Sequence, residues 1–332
     1  MNKSRGVVVA QMVEIPKSEE GTRLLRWFMR RFPAMPQREF YKLCRGGQIR
    51  VNSSRARGQE ILRAGDVVRI PPTVSSYAVL PAKRTESGAN FSLSDLEILR
   101  KCIIHDDDDV VVFNKPAGLA VQGGTGIRKS VDKMAAALFP YDKISLVHRL
   151  DRETSGVLVV AKNQRAAQVL ADEFQNKTAH KEYLALLNGN VRDDFGVIDN
   201  YMVKGQISDS PERLNNGTGQ RPQRAITEFR VLSRAGHLSW VLFSPKTGRT
   251  HQLRVHSALS LNAPIVGDDL YGRDKKMDGA LQSLVVTNNL FLLAYKLTFR
   301  HPSSGKMMTL CADIPDFMQP VLKFLEFGLP QG

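Results

Sequence analysis

No apolar run in this chain approaches the ~20 residues needed to cross a bilayer, so no membrane-spanning segment is expected. The opening stretch, MNKSRGVVVAQMVEIPKSEEG, has one short apolar run, Val7 to Ala10, and Glu14, Glu19 and Glu20 follow it. A secretory leader or an acid-poor transit peptide is therefore not expected either. Cysteine is scarce. Cys44, Cys102 and Cys311 lie far apart with no CxxC spacing, which argues against a disulfide framework or a zinc site and for a reducing, cytoplasmic setting. Acidic residues are also in short supply, 33 against 47 Lys and Arg, leaving a net charge of +14 and a pI near 9.8. Such a balance calls for a polyanionic partner, most often nucleic acid.

The basic excess is uneven. Residues 1–72 hold 15 Lys and Arg against 6 Asp and Glu, a balance of +9, whereas 73–332 hold 32 against 27, only +5. After an N-terminal arm over 1–21, residues 22–72 read as a compact unit. TRLLRWFMRRFP places Leu24, Leu25, Phe28 and Met29 at helical spacing among arginines, and REFYKLCRGG predicts a second helix ending at Gly46 or Gly47. QIRVNSSR alternates as a strand running into a turn, and EILRAGDVVRIPP gives a turn and a strand before Pro71. Helix, helix, then "GGQIRVN…AGDVVRI" resembles the S4 RNA-binding domain over about fifty residues. Residues 73–99 lack sustained periodicity and read as a linker. Beyond residue 100, strand-like runs (VVVFN, GVLVVA, EYLALL, SWVLF) alternate with occasional helices such as NQRAAQVLADEFQN after an Asn163 cap. That order predicts an α+β fold, with a largely antiparallel mixed sheet flanked by helices over 100–325. No internal repeat is evident.

The stretch LVHRLDRETSGVLVVAKN, 146–163, sets five ionisable residues between two apolar runs: His148, Arg149, Asp151, Arg152 and Glu153. A solvated turn is one reading. Against it, the turn carries no Pro or Asn-Gly signal and more arginine than one carboxylate needs. Arginine beside an aspartate keeps it ionised, and an ionised carboxylate can act as a nucleophile or stabilise an oxocarbenium-like sugar.

"HRLDRETSG" (148–156) also resembles the signature of the RluA family of pseudouridine synthases, and further motifs follow in the family's order. These are "NKPAGLAVQGGTG" (114–126), "KEYLALLNG" (181–189), "AITEF" (225–229), "PKTGRTHQLRVH" (245–256) and "GDDLYG" (267–272). The likeness spans roughly 100–315. Within the family, "VQGGTG" and "HRLDRETSG" are closer to the RluC branch, which acts on large-subunit ribosomal RNA. The resemblance implies isomerisation of uridine in RNA, with 23S ribosomal RNA the expected substrate, and with no cofactor and no metal. It implies Asp151 as the essential carboxylate, by attack at C1′ or through a glycal, and Tyr183 as the tyrosine packing on the extruded uracil. Arg254 is implied as the arginine paired with Asp151, and Arg149 as the side chain entering the base stack. His148, Arg152 and His251 are expected to contact substrate, and Lys246 and Arg249 to hold backbone phosphates. A monomer without membrane attachment is expected.

Two motifs are set aside. "GGTGIRKS" fails the P-loop spacing, and the Asp106–Asp109 run is expected to be a solvated turn rather than a metal site. His251 and His256 have no Cys or clustered carboxylate nearby in sequence to suggest zinc. Three features depart from the family: Gln122 and Leu293 stand where histidine is common, and the polar segment 204–224 is expected to be mobile. A non-catalytic RNA-binding or ribosome-assembly factor, a synthase acting on transfer RNA, and a glycoside hydrolase are the competing readings. An intact Asp151, Tyr183 and Arg254 weigh against the first, and the lack of a second well-placed acid against the last.

Overall fold

The computed structural model describes residues 10–16, 19–32, 35–77, 91–140, 142–203, 205–214, 221–272 and 289–330, in two compact units, Met1–Asn90 and Phe91–Gly332. Among the described residues no helix is long and apolar enough to cross a membrane.

In the first unit, β1 (Gln11–Glu14) precedes α1 (Leu24–Arg31) and α2 (Gln37–Arg45), then β2 (Arg50–Val51), β3 (Ser54–Arg55) and β4 (Val67–Ile70). Leu24, Trp27 and Phe28 follow the 3.6-residue repeat and are fully buried with Phe40, Ile49, Leu62 and Val68. Asn52 and Ser53, both at positive φ, form the two-residue turn between β2 and β3, the geometry that matches hairpin twist. Asn52 then donates to Asp66 Oδ1 at 2.7 Å and accepts from the Val67 amide at 2.8 Å, tying the hairpin to the Gly65-Asp66 turn. The expected N-terminal arm is in part a strand. Gln11–Glu14 pairs antiparallel with β4, and Ile15 is buried, because an apolar residue there completes the core edge.

The second unit begins earlier than the sequence suggests. Leu93–Lys101 forms α3, capped by Ser92, whose hydroxyl accepts from the Asp95 amide while Asp95 accepts from the Ser92 amide. The linker therefore loses its last third to a capping box, a local signal outweighed by the polar composition around it. Residues 78–90 of that stretch lie outside the described residues. The strands are β5 (Ile103–Asp106), β6 (Val110–Lys115), β7 (Ser145–Leu146), β8 (Ser155–Ala161), β9 (His180–Asn188), β10 (Phe195–Val203), β11 (Gln206–Ser208), β12 (Gln223–Ala235), β13 (Leu238–Pro245), β14 (Leu292–Arg300) and β15 (Met307–Cys311). They form one sheet in the order β11-β10-β12-β13-β9-β14-β8-β6-β5, with β15 beside β14 and β7 beside β8. Among the described strands only β14 and β8 pair in parallel. The expected mixed, largely antiparallel sheet is what forms.

Alternate residues of β6 and β8 enter two different cores. Val110, Val112, Val157 and Val159 pack on one face with Ala166 and Leu170 of α5 (Gln164–Gln175). Val111, Phe113, Leu158 and Val160 pack on the other with Leu99 and with Met134 and Ala135 of α4 (Val131–Leu138). Burial on both faces explains why these strands read as unbroken apolar runs.

Two expectations are corrected here. The Asp106–Asp109 run is not a solvated turn: Asp106 pairs with the fully buried Lys162, Asp107 accepts from His105 and His301, and Asp109 is buried. A buried ammonium needs carboxylate partners, and the acidic run supplies them. Of the segment 204–224, residues 206–208 and 223–224 are strand and Pro211–Leu214 is a 3-10 turn with Leu214 buried; 204 and 215–220 lie outside the described residues.

Candidate active site

The connection from β7 to β8 carries the charged stretch and is fixed from beneath. Lys115, at the end of β6 and wholly buried, sends its ammonium to three carbonyls, Pro116 (2.9 Å), Leu119 (2.9 Å) and Arg152 (3.0 Å). Burial pulls this amine down to about 7, while the charges of Glu153 and Asp151 pull it back up. Arg152 O also accepts from the Gly118 amide at 2.9 Å, and Thr154 N closes the turn on Asp151 O at 3.1 Å. Gly156 stands at φ +114° opposite both Lys115 and Ala294, and a Cβ there would run into the Ala294 carbonyl. The turn is thus pinned where β6, β8 and β14 meet. Leu150 is buried, Asp151 half-buried, and Arg149 and Arg152 exposed.

Asp151 faces a cleft of about 460 Å³. Its floor includes Tyr183 of β9, which pairs with Ala294 and Phe243 on its two sides. Burial, and then the charge of Asp151, push the Tyr183 phenol well above its ordinary value, so it is a neutral hydroxyl at physiological pH. The opposite wall is the turn after β13, Pro245 to Thr250, followed by α6 (Gln252–Val255) and a π turn, His256–Ser260. Gln252, buried, holds this wall. Its Oε1 accepts from Thr247 Oγ1 (2.7 Å) and the Arg249 amide (3.0 Å), and its Nε2 donates to Ile226 O (3.0 Å) and Thr227 Oγ1 (2.9 Å). His251 takes a left-handed φ of +56°, with Nδ1 3.1 Å from Tyr271 Oη. Strain of this kind persists only where the surroundings over-determine it.

Arg254 differs from expectation. Its fork lies on Asp268, Nε to Oδ2 at 2.8 Å and Nη2 to Oδ1 at 2.6 Å, not on Asp151. Burial opposes the Arg254 charge, but Asp268 and then Asp151 outweigh it and raise the guanidinium further. Burial would likewise raise Asp268; Arg254 and the Tyr271 and Leu270 amides outweigh it and hold the carboxyl below its usual range. Asp268 lies within the quoted GDDLYG motif, but nothing in its spacing singles it out as the partner of an arginine fourteen residues earlier.

The remaining expected residues separate into two groups. Arg149, Lys246, Arg249 and His251 line the cleft with Asp151, Tyr183 and Arg254. His148 lines it too, but not as a polar contact for a ligand: its Nε2 accepts from the Val159 amide at 3.0 Å and its ring stacks on Phe174 at 4.4 Å. Burial, and then Lys181, push this imidazole down to about 3. Arg152 turns away, its Nε donating to Gly118 O at 3.0 Å and lying 3.5 Å from Glu153. The flanking arginines are spent on the turn and the rim, and no ion pair reaches the Asp151 carboxylate among the described residues. Leu293 is fully buried between Leu184 and Ser155, a core position that needs no polar group. Lys181, not among the expected site residues, stands two positions before Tyr183 on the same face of β9 and reaches the same cleft. Among the described residues no group of His, Cys, Asp and Glu could hold a metal ion.

The sequence matches the family profile of RNA pseudouridylate synthases over residues 109–259. It is 35% identical to the ribosomal large subunit pseudouridine synthase C of Haemophilus influenzae, over 95% of each chain. Against the same-named protein of Escherichia coli strain K12 it is 36% identical, over 95% of this chain and 96% of the other. Among solved structures, human RNA Pseudouridylate Synthase Domain Containing 4 is similar at a TM-score of 0.59 and 27% identity, covering 71% of this chain and 97% of that one.

Proposed function

As the chain belongs to the family of RNA pseudouridylate synthases, we propose that it isomerises specific uridines of large-subunit ribosomal RNA through Asp151. One observation carries the reading. Among the described residues lining the cleft, Asp151 is the single carboxylate, and the other ionised side chains are cations: Arg149, Lys177, Lys181, Lys246, Arg249 and Arg254. An RNA strand supplies negative charge to such walls and a sugar to the one acid. The volume suits a single nucleotide, so the target base leaves its stack, at a cost of about a few kcal/mol. Arg149, exposed at the rim, is placed to fill the gap.

In the cleft, N1–C1′ breaks, uracil turns, C5–C1′ forms, and the C5 proton is replaced by one on N1. Asp151 serves either by attack at C1′ or by taking the C2′ proton to give a glycal. Tyr183, a neutral phenol, packs on the base and offers a hydroxyl rather than a standing base. Arg254, held by Asp268, sets the positive potential at Asp151. The basic first unit, S4-like in its order of elements, adds RNA affinity. The same reading has the enzyme act as a monomer in the cytoplasm, on RNA and without a membrane.

The direct test is a map of pseudouridines in large-subunit ribosomal RNA from cells with the gene, without it, and without it but carrying an Asp151→Asn copy. Loss of defined sites, restored by the wild-type gene and not by the variant, is expected. An unchanged map in the deletion would overturn the assignment.

A further inference from the structure

Three of the six cations around the cleft are already engaged, and Arg149 stands exposed at the rim. Lys246 pairs with Glu228 at 2.8 Å, Arg254 with Asp268, and Arg249 donates to Arg224 O at 3.1 Å. Two lysines on the remaining wall are not. Lys177 follows α5 and Lys181 is the second residue of β9, and neither has a carboxylate or carbonyl partner among the described residues, although both line the cleft.

Both positions are costly. Lys177 stands at φ +60°, directly after the Asn176 cap of α5, where the chain reverses and the Thr178 and Ala179 amides return to Glu173 O at 3.0 and 3.4 Å. Glycine or asparagine is the usual choice there, because a Cβ is strained in the left-handed region. Lys181 is half-buried with its ammonium directed across the cleft: a Cβ on Gly248, in the opposite wall, would lie 3.9 Å from Nζ. Burial first, and then the like charge of Lys177, hold the Lys181 amine below the ordinary lysine range. A strained lysine and a desolvated one, repelling each other, are a net cost to the free protein. A bound anion would recover it.

We propose that Lys177 and Lys181 form a clamp for one backbone phosphate of the RNA, at or beside the target nucleotide. The inference rests on the RNA-modifying reading above. The anion is a phosphodiester because the cleft must also admit the sugar on which Asp151 acts, and the phosphate is the charged group covalently next to it. Lys181 and Tyr183, two residues apart on one face of β9, then grip the same nucleotide by its phosphate and its base. Neither lysine donates to Asp151, so the clamp orients substrate and takes no part in proton transfer.

The test measures affinity of the full-length protein for a uridine-bearing stem-loop of large-subunit ribosomal RNA at several salt concentrations, together with steady-state turnover. Lys181→Met and Lys177→Gly should each weaken binding roughly tenfold, the scale of one lost charge-assisted contact. Each should make the slope of log affinity against log salt shallower, by about 0.7 to 0.9 if a full phosphate contact is lost. The loss should fall chiefly on KM, and Lys181→Arg should restore most of it. Lys177→Gly should at the same time raise the melting temperature, since it relieves the left-handed strain, which separates loss of a ligand contact from loss of fold. Unchanged affinity and slope in both variants, or a Lys181→Arg protein as weak as Lys181→Met, would overturn the clamp. So would a loss confined to kcat. If the wild-type protein neither bound nor converted the RNA, the functional reading itself would fall, and the clamp with it.

Discussion

At the residue scale the site works by division of labour among charges. Among the described residues Asp151 has no ion-pair partner, while the fork expected on it holds Asp268 instead. Asp268 is therefore a positioning residue, acting through Arg254. Asp268→Asn removes the charge but keeps the shape, leaving a buried guanidinium half-paired. Loss of one member of such a pair costs about 3–5 kcal/mol. The variant should convert uridine at least tenfold more slowly and unfold at lower urea; Arg254→Lys, which loses the fork but not the charge, should be intermediate. Equal turnover in all three proteins would remove Arg254 from the mechanism. Two imidazoles are also held neutral. His148 is pushed down to about 3 and His256, buried between Thr227 and Asn200, to about 4. A folded value below the unfolded one means stability that is complete above about pH 6.5 and lost as pH falls toward 4, by up to about 1.4 kcal/mol per pH unit for each ring. His105 has the opposite sign, because Asp107 raises it: its contribution is complete below about pH 6.5 and is lost only as pH rises above that, outside this window. Urea midpoints should therefore fall between pH 6.5 and 4.5, and the His148 and His256 ring resonances should not titrate above pH 5. Titration of both near 6.5 would contradict their burial.

At the scale of elements, the site depends on how closely β8 approaches β14. Gly156→Ala would place a Cβ against the Ala294 backbone at a φ of +114°. No rotamer relieves that clash, so destabilisation of about 2–4 kcal/mol and loss of activity are expected, read from urea unfolding and turnover. An alanine variant of wild-type stability would mean that the strands do not meet there. Strands and helices with a strong period were legible in the sequence: α1, α2, α5 with its Asn163 cap, and the two-faced strands β6 and β8. So was the motif order that brings Asp151, Tyr183 and the 245–254 wall to one cleft. What stayed hidden was pairing. Whether Arg254 meets Asp151 or Asp268, and whether the acidic run meets water or Lys162, depends on contacts between elements distant in sequence. Composition misled at α3 and β1, where short local signals sat inside polar or basic stretches.

At the scale of the whole molecule, charge and chemistry are divided between the two units. Every residue lining the cleft lies in Phe91–Gly332, while the first 72 residues carry a balance of +9. Each neutralised phosphate contributes about −0.7 to −0.9 to the salt slope. A protein beginning at Phe91 should bind ribosomal RNA more weakly and with a shallower slope, yet still convert uridine in a saturating short hairpin. Selectivity should suffer too, because folded RNA is read largely by shape and phosphates over a wide surface. Unchanged affinity and slope would mean that the basic unit faces another partner and the cleft alone holds the RNA.

The central claim is that one carboxylate, Asp151, carries the isomerisation without an added factor. It is tested by counting pseudouridines formed in the target RNA by the purified wild-type and Asp151→Asn proteins, each with a chelator present and each shown to bind the RNA within a few-fold of the other. The account predicts conversion by the wild-type protein and none by the variant. Conversion by Asp151→Asn, or a wild-type reaction stopped by the chelator, would contradict it.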